Sequence, residues 1–178
     1  MLAYPDIQIL DVMGPLEVFS RTTRWLRDNG KRRDDAYSVE ILGLRRGAFR
    51  ASSGLRIYAD RRFDEVGRGI DTLFIAGGTG SERYRQHPPL LRWIRRQASS
   101  VRRLASVCTG AFFLAEAGLL RGRRATTDRR SPAPGGNATR PCLWSCTVSA
   151  SNGNAGRRAS GKPHSARRAL RRNRDDVC

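Results

Sequence analysis

The 178-residue sequence lacks a long apolar run. No stretch approaches the roughly 20 consecutive apolar residues that a transmembrane helix needs. The apolar core of a secretory signal is also missing, since Pro5 and Asp6 occur where that core would run. We therefore expect a cytoplasmic protein with no membrane segment. In that reducing compartment, its four cysteines are not expected to form a disulfide framework.

Lysine is almost absent, although the formal net charge is +18. Only Lys31 and Lys162 are lysine among the 34 basic residues. A cluster of basic side chains can form a phosphate-binding face, whereas GC-rich codons give arginine in place of lysine without any such face. A direct nucleic-acid interface and an ordinary solvated arginine surface are both open, and we favour the second.

Apolar side chains are concentrated in residues 1–127. Residues 128–178 contain only four residues of the Val, Ile, Leu and Phe types, with 11 basic against 3 acidic side chains. So little apolar surface does not offset the conformational entropy that is lost on folding. The sequence predicts an α/β domain over residues 1–127 and a disordered, basic, low-complexity tail over residues 128–178.

Strand-like and helix-like segments alternate along the first 127 residues. Strands are predicted at 1–4, 37–44, 71–78 and 101–108, a hairpin around Ser53–Gly54, and helices at 15–28, 88–100 and 109–120. This alternation is typical of a mainly parallel sheet covered on both faces. Such sheets bind ligands at the carboxyl ends of their strands. Three loops are expected to meet there: 11–17, 77–80 and 106–110.

Cys108 is the main candidate for a functional residue. It lies in a predicted turn between a strand and a helix, where the side chain projects above the sheet and the amino end of the helix stabilises a thiolate or a developing anion. This geometry parallels the nucleophile elbow of hydrolases. The alternative is a small buried core cysteine. The small residues that follow Cys108, namely Thr109, Gly110 and Ala111, favour the elbow.

Two carboxylates and a glycine-rich turn are predicted near Cys108. Asp11 and Glu17, on either side of Gly14–Pro15, could take a proton from a reactant or position a water. Alternatively, Asp11 caps a loop and Glu17 is a first-turn carboxylate favoured by the helix dipole. The segment Gly77–Gly78–Thr79–Gly80 could donate backbone N–H groups to an oxyanion, although any strand end can require glycine.

The only candidate metal ligands are dispersed in the tail. Cys142, Cys146, His164 and Cys178 superficially suggest a zinc site, but their spacing fits no common zinc finger. We expect no metal ion and no cofactor.

Four segments together resemble a known family. YPDIQILDVMGPLEVF, ASSGLRI, DTLFIAGGTG and SVCTGAFFLAEAGLLRGRRATT, in this order and at these spacings, are similar to the ThiJ/PfpI superfamily. Within it, they most resemble the GlxA-like branch of AraC-type transcriptional regulators and the isonitrile hydratases. The resemblance covers essentially residues 2–127. It implies a flavodoxin-like, doubly wound sheet of the class I glutamine amidotransferase type.

The resemblance also implies roles for individual residues. Cys108 matches the elbow cysteine, Asp11 the essential aspartate of isonitrile hydratases, Thr109 the residue beside the nucleophile, and Glu17 an acidic position after Gly–Pro. The ligand-binding site would be lined by residues of the two glycine-containing turns, namely Gly77, Gly78, Thr79 and Gly110.

Two functions follow from the resemblance, and whether the chain is an enzyme stays open. We expect the domain of a transcriptional regulator, which would sense a small-molecule ligand or form a homodimer. DNA would then bind only through a helix-turn-helix domain that this chain does not contain. The alternative is an isonitrile hydratase-like enzyme, in which Cys108 attacks the terminal carbon and Asp11 assists hydration to an N-substituted formamide.

The resemblance stops abruptly after Thr127. Family members continue with His-Trp and a TSAGVTAGID-like segment, whereas Asp128–Arg129 follow here. Our hypothesis is that residues 128–178 are an out-of-frame translation, because Arg, Ser, Gly, Pro and Ala take over as shifted GC-rich codons would give. The sheet is then expected to be incomplete. Sequencing the coding DNA tests this hypothesis, which fails if no other frame restores a His-Trp and a Gly-Ile-Asp-like segment.

Overall fold

The computed structural model describes residues 1–121 and Ala125. Short turns of 3-10 helix occur at Phe63–Glu65 and Cys108–Gly110. Within this part of the chain, no helix is both long and apolar enough to cross a membrane. The regular elements are α1 (Ile9–Asp28), β1 (Leu42–Gly43), β2 (Gly47–Arg50), β3 (Arg56–Ala59), β4 (Arg61–Arg62), β5 (Thr72–Ile75), α2 (Ser81–Tyr84), α3 (Pro88–Ala98), β6 (Arg103–Ser106) and α4 (Ala111–Glu116).

The central sheet is parallel. β5 pairs with β6, with Ile75 opposite Ser106, and β1 pairs with β4, with Leu42 opposite Arg61. Leu2 forms parallel bridges to both Leu42 and Ile75, so the first residues of the chain lie between β1 and β5. The order across the sheet is therefore β4, β1, the segment around Leu2, β5 and β6. This order confirms the predicted doubly wound, mainly parallel α/β fold.

The strand order reverses beside the first segment. From the segment around Leu2, the chain moves outward to β1 and β4 and then returns on the other side as β5 and β6. Ligands of open α/β sheets bind at such a reversal, outside the carboxyl ends of the strands. The topology therefore places a candidate site above the ends of the first segment, β5 and β6.

The two faces of β5 are covered differently. Phe74 points to the face where Phe19 of α1 lies, and the two ring centroids are 5.7 Å apart. Because side chains alternate along a strand, Leu73 and Ile75 point to the opposite face. Both are fully buried, in one core cluster with apolar residues of α3 and α4, namely Leu90, Ile94, Phe113 and Leu114.

The predicted hairpin is confirmed as β2 and β3. Gly47 pairs with Ala59 and Arg50 with Arg56 in an antiparallel register. The hairpin lies beside the loop that follows the first segment, since the Asp6 N–H donates to the Arg50 carbonyl at 2.9 Å. This contact positions the loop that leads into α1.

Helix α1 begins at Ile9, and the prediction that it begins at Pro15 was wrong. Proline is favoured in the first turn of a helix, but inside a helix it costs one hydrogen bond, here to the Asp11 carbonyl four residues earlier. The turns before Pro15 are nevertheless helical, and Asp11 and Val12 within them are buried. Asp11 therefore lies in the first turn of α1, and not in a loop.

Other boundaries also differ from the predictions. Of the strand predicted at 37–44, only Leu42–Gly43 forms a ladder, while α2 at Ser81–Tyr84 was not predicted. The buried side chains of α3 are Leu90, Trp93, Ile94 and Gln97. Of the residues expected to face inward, Ile94 is among them, and Leu91 and Ala98 pack partly buried against the same core. The proposed domain end at 127, the tail at 128–178 and the candidate zinc ligands lie outside the described residues.

Candidate functional site

Three segments meet at the carboxyl edge of the sheet. The first turn of α1 brings Asp11, the turn after β5 brings Gly77, and the turn after β6 brings Cys108. A Cβ atom built on Gly77 would lie 2.7 Å from Asp11 Oδ2 and 2.9 Å from Cys108 Cβ. The carboxylate and the cysteine side chain therefore lie against the same side of Gly77, and they are neighbours.

Cys108 is the elbow between β6 and α4. Its φ is +52°, in the left-handed region that non-glycine residues rarely adopt. Such a conformation costs about 1–2 kcal/mol for an L-residue, and it is held here because the Val107 N–H donates to the Ile75 carbonyl at 2.9 Å and the Gly110 N–H donates to the Val107 carbonyl at 2.9 Å. Cys108 is half-buried, and the helical turns follow it directly. Strain of this kind is typical of functional positions.

Gly110 lets α4 begin directly on the end of β5. A Cβ atom at this position would lie 2.2 Å from the Ile75 carbonyl oxygen, which is closer than any real contact. The residue is buried. The structure thus assigns Gly110 a packing role, and its predicted contact with a ligand stays a prediction.

Asp11 is held by the turn after β5. Its side chain is buried, and Oδ2 accepts a hydrogen bond from the Gly77 N–H at 3.0 Å. A carboxylate at this place in the first turn of α1 is also favoured by the helix dipole. The structure therefore places a buried carboxyl group beside Cys108.

Thr109 holds Gly78, which follows Gly77 in the turn after β5. Its hydroxyl accepts a hydrogen bond from the Gly78 N–H at 2.8 Å, and it lies 3.2 Å from the Gly78 carbonyl, to which it can donate. In this structure the Gly77 N–H thus donates to the Asp11 carboxylate, and the Gly78 N–H donates to the Thr109 hydroxyl. The expectation that these groups point to an oxyanion does not describe this geometry, and a direct contact of either glycine with a ligand stays a prediction.

Glu17 and Thr79 lie apart from this arrangement. Glu17 is six residues after Asp11, about 240° further around the helix, and its exposed carboxylate pairs with Arg24 at 3.2 Å. Thr79 is exposed, and its hydroxyl donates to the Asp6 carbonyl at 3.3 Å. The structure brings together Asp11, Gly77, Gly78, Cys108 and Thr109, while Glu17 faces another side of α1.

Tyr4 also belongs to the site, although sequence reasoning did not single it out. It is fully buried, and its hydroxyl donates to the Ala76 carbonyl at 2.8 Å. Burial, and then the negative charge of Asp11 and Cys108, raises the pKa of Tyr4 well above its usual range. The sequence feature that could have indicated Tyr4 is its position: an aromatic residue with a hydroxyl group at the carboxyl end of the first predicted strand.

Comparison with known proteins gives a consistent group of relatives. Residues 1–130 match the model of the DJ-1/PfpI family. The chain is 32% identical over 126 residues to isonitrile hydratase of Pseudomonas putida, a match covering 71% of this chain and 50% of the hydratase. It is 44% identical over 59 residues to the HTH-type transcriptional regulator Rv1931c of Mycobacterium tuberculosis, covering 33% of this chain and 22% of the regulator. The matches thus span half of the first relative and less than a quarter of the second.

A solved structure supports the fold. The crystal structure of a ThiJ/PfpI family protein from Pseudomonas syringae superposes with a TM-score of 0.57 at 23% identity, covering 67% of this chain and 45% of that one. At this identity the similarity shows a shared fold alone.

Proposed function

Because the chain belongs to the DJ-1/PfpI family, we propose that its α/β domain is the ligand-sensing or dimerisation domain of an AraC-type transcriptional regulator. The observation that carries the proposal is the juxtaposition of Cys108 and Asp11 at Gly77, in a chain similar to an HTH-type regulator. DNA would bind through a helix-turn-helix domain outside the matched residues. The regulator would act in the cytoplasm.

The proposed ligand site is the surface above Cys108. A small molecule there meets a half-buried thiol in the elbow and a buried carboxyl group on α1. The amino end of the helical turns after Cys108 favours a negatively charged or hydrogen-bond-accepting group. The ligand class that fits is therefore a small polar molecule with an acceptor near the thiol.

Helix α1 connects this site with an exposed stripe of apolar and charged side chains. Leu10, Val18 and Trp25 have exposed fractions of 71%, 63% and 57%, and their spacing places them within an arc of about 80° on one side of the helix. Gly14 lies in the same arc, with no atom within 4 Å of the place a Cβ would take. The exposed charged residues Arg21 and Asp28 lie in the same arc. A face of exposed apolar and charged side chains with a small residue at its centre supports close packing of two helices, and hence a homodimer through α1.

A charge in the stripe is expected to disrupt the homodimer. Val18→Arg would place an additional guanidinium between the apolar side chains of Leu10 and Trp25, so the dimer should dissociate at least about tenfold more readily. Sedimentation equilibrium measures the change. Val39→Arg is the matched control, because Val39 is also exposed but lies outside α1. Equal dimer affinity of the wild type and Val18→Arg would contradict a dimer through this stripe.

The second candidate function is isonitrile hydration, which the Cys108–Asp11 pair and the similarity to the hydratase favour. Cys108 Sγ would add to the terminal carbon of the isonitrile, and a proton transferred to that carbon would give a thioimidate. Water would then add to the same carbon. Cleavage of the C–S bond, with proton transfer to nitrogen, would release the formamide and restore the thiol.

Turnover of an alkyl isonitrile distinguishes the two functions. The regulator proposal predicts that the wild type forms no more N-alkylformamide than Cys108→Ala does, and that the full-length product binds its promoter DNA. Glu17→Gln serves as a control that changes a carboxylate away from Cys108. Turnover that is lost in both Cys108→Ala and Asp11→Asn, but kept in Glu17→Gln, would instead establish the enzyme.

A further inference from the structure

The peptide group between Ala76 and Gly77 is held by side chains at both ends. Its carbonyl accepts a hydrogen bond from the Tyr4 hydroxyl at 2.8 Å, and its N–H donates to Asp11 Oδ2 at 3.0 Å. Tyr4, Ala76 and Asp11 are all buried. Since the C=O and N–H of one peptide group lie in a plane, the direction of the carbonyl also sets the direction of the N–H.

Backbone hydrogen bonds hold the residues on both sides of this peptide group: the Ala76 N–H donates to the Leu2 carbonyl at 3.3 Å, and the Gly77 carbonyl accepts from the Gln8 N–H at 2.9 Å. Gly77 and Gly78 follow one another, and glycine has the widest backbone freedom of all residues. Gly78 has a φ of +138°. Beyond these backbone contacts, the orientation of the Gly77 N–H depends on the two side chains that bond its peptide group, the Tyr4 hydroxyl and the Asp11 carboxylate.

We propose that Tyr4 is a positioning residue for Asp11: its hydroxyl orients and polarises the Ala76–Gly77 peptide group, whose N–H then holds the carboxylate beside Cys108. Linked hydrogen bonds strengthen one another, because each polarises the next. The relevance of these linked hydrogen bonds to ligand binding rests on the proposed function, in which Asp11 acts on the ligand.

Two further observations support Tyr4 as a fixed donor. Its ring packs against Phe113 of α4 and Tyr84 of α2, with ring centroids 5.1 Å and 5.8 Å apart. Its pKa is raised by burial and by nearby negative charge, which keeps the phenol protonated at neutral pH. Among the described residues, the titratable groups near the Tyr4 hydroxyl and the Ala76–Gly77 peptide group are Asp11 from α1, Cys108 from the turn after β6 and Tyr84 from α2.

Nuclear magnetic resonance of the full chain can read the Gly77 amide directly. Labelling alanine at the carbonyl carbon with ¹³C and glycine with ¹⁵N selects the Ala–Gly pairs, which end at Gly77, Gly118 and Gly156. The Gly77 signal should shift with pH as Asp11 ionises, and Asp11→Asn should remove that shift. Gly118 provides an internal reference.

Tyr4→Phe is expected to raise the midpoint of the Gly77 titration by at least about half a pH unit. The Gly77 N–H becomes a weaker donor to the carboxylate, and weaker hydrogen bonding to the ionised form favours the protonated form. Tyr84→Phe is the matched control, since it removes a hydroxyl from the neighbouring ring and should leave the midpoint unchanged. An unchanged midpoint in Tyr4→Phe would overturn the proposal.

A second variant keeps the packing intact and changes only the strength of the donor. Placing 3-fluorotyrosine at position 4 makes the hydroxyl more acidic and a stronger donor, so the midpoint should move down. Movement in the same direction as Tyr4→Phe would show that the hydroxyl does not act as a donor, and would overturn the proposal. Neither result depends on a ligand, so the proposed function is tested separately by isonitrile turnover and DNA binding.

Discussion

Gly110→Ala is expected to destabilise the domain by at least about 3 kcal/mol. The added Cβ would lie 2.2 Å from the Ile75 carbonyl oxygen and 3.0 Å from that of Ala76. Both are backbone atoms at the end of β5, so α4 would have to move away from the sheet. Overpacking typically costs about 1–3 kcal/mol, and more where the backbone has to shift. The free energy of unfolding from urea denaturation measures the loss.

Gly67→Ala is the control for this substitution. Gly67 has no atom within 4 Å of its Cβ position, and its φ lies outside the left-handed range. The same change there should therefore have little effect on the free energy of unfolding. If Gly110→Ala lowers the free energy of unfolding as little as Gly67→Ala does, the start of α4 does not contact β5 closely.

Gly77→Ala is expected to cost about 2–3 kcal/mol of stability and to separate the residues of the site. The new methyl group would meet Asp11 Oδ2 at 2.7 Å, the Thr109 nitrogen at 2.7 Å and Cys108 Cβ at 2.9 Å. A buried side chain and a backbone turn would both have to move. Urea denaturation again gives the change in free energy.

A double variant separates these two contacts. Adding Asp11→Ala to Gly77→Ala removes the contact with the carboxylate but leaves the contact with the Thr109 nitrogen. We expect this second change to recover less than half of the lost free energy, because the backbone clash remains. Complete recovery of the free energy of unfolding would show that the turn containing Cys108 and Thr109 does not contact Gly77 closely.

The strands β5 and β6 could be predicted from the sequence because they lie in short apolar runs followed by glycine or small residues. Segments such as Thr72–Ile75 and Arg103–Ser106 fall inside the predicted strands at 71–78 and 101–108. Their ends were less predictable, since a ladder stops where its partner stops. The start of α1 was missed because Pro15 is compatible with a first turn and, at a cost, with a helix interior.

The meeting of Cys108 with Asp11 could be predicted because the carboxyl ends of parallel strands share one edge of a sheet. The positions of Glu17 and Tyr4 could not. Glu17 was placed near the site by assuming a loop at Gly14–Pro15, whereas the helical turn of α1 rotates it away. The contact of Tyr4 depends on the direction of the Ala76–Gly77 peptide group, which no spacing of residues in the sequence reveals.

Pro15 inside α1 has a mechanical consequence. A proline has no N–H, so one rung of the helical ladder is missing, the one that would join Pro15 to the Asp11 carbonyl. Helices bend most easily at such a point, and Gly14 beside it adds compliance. Bending at Pro15 would change the angle between residues 16–28 and the first turn, in which Asp11 is held by the Gly77 N–H. A displacement of either end of α1 would therefore be accommodated mainly by bending at Pro15.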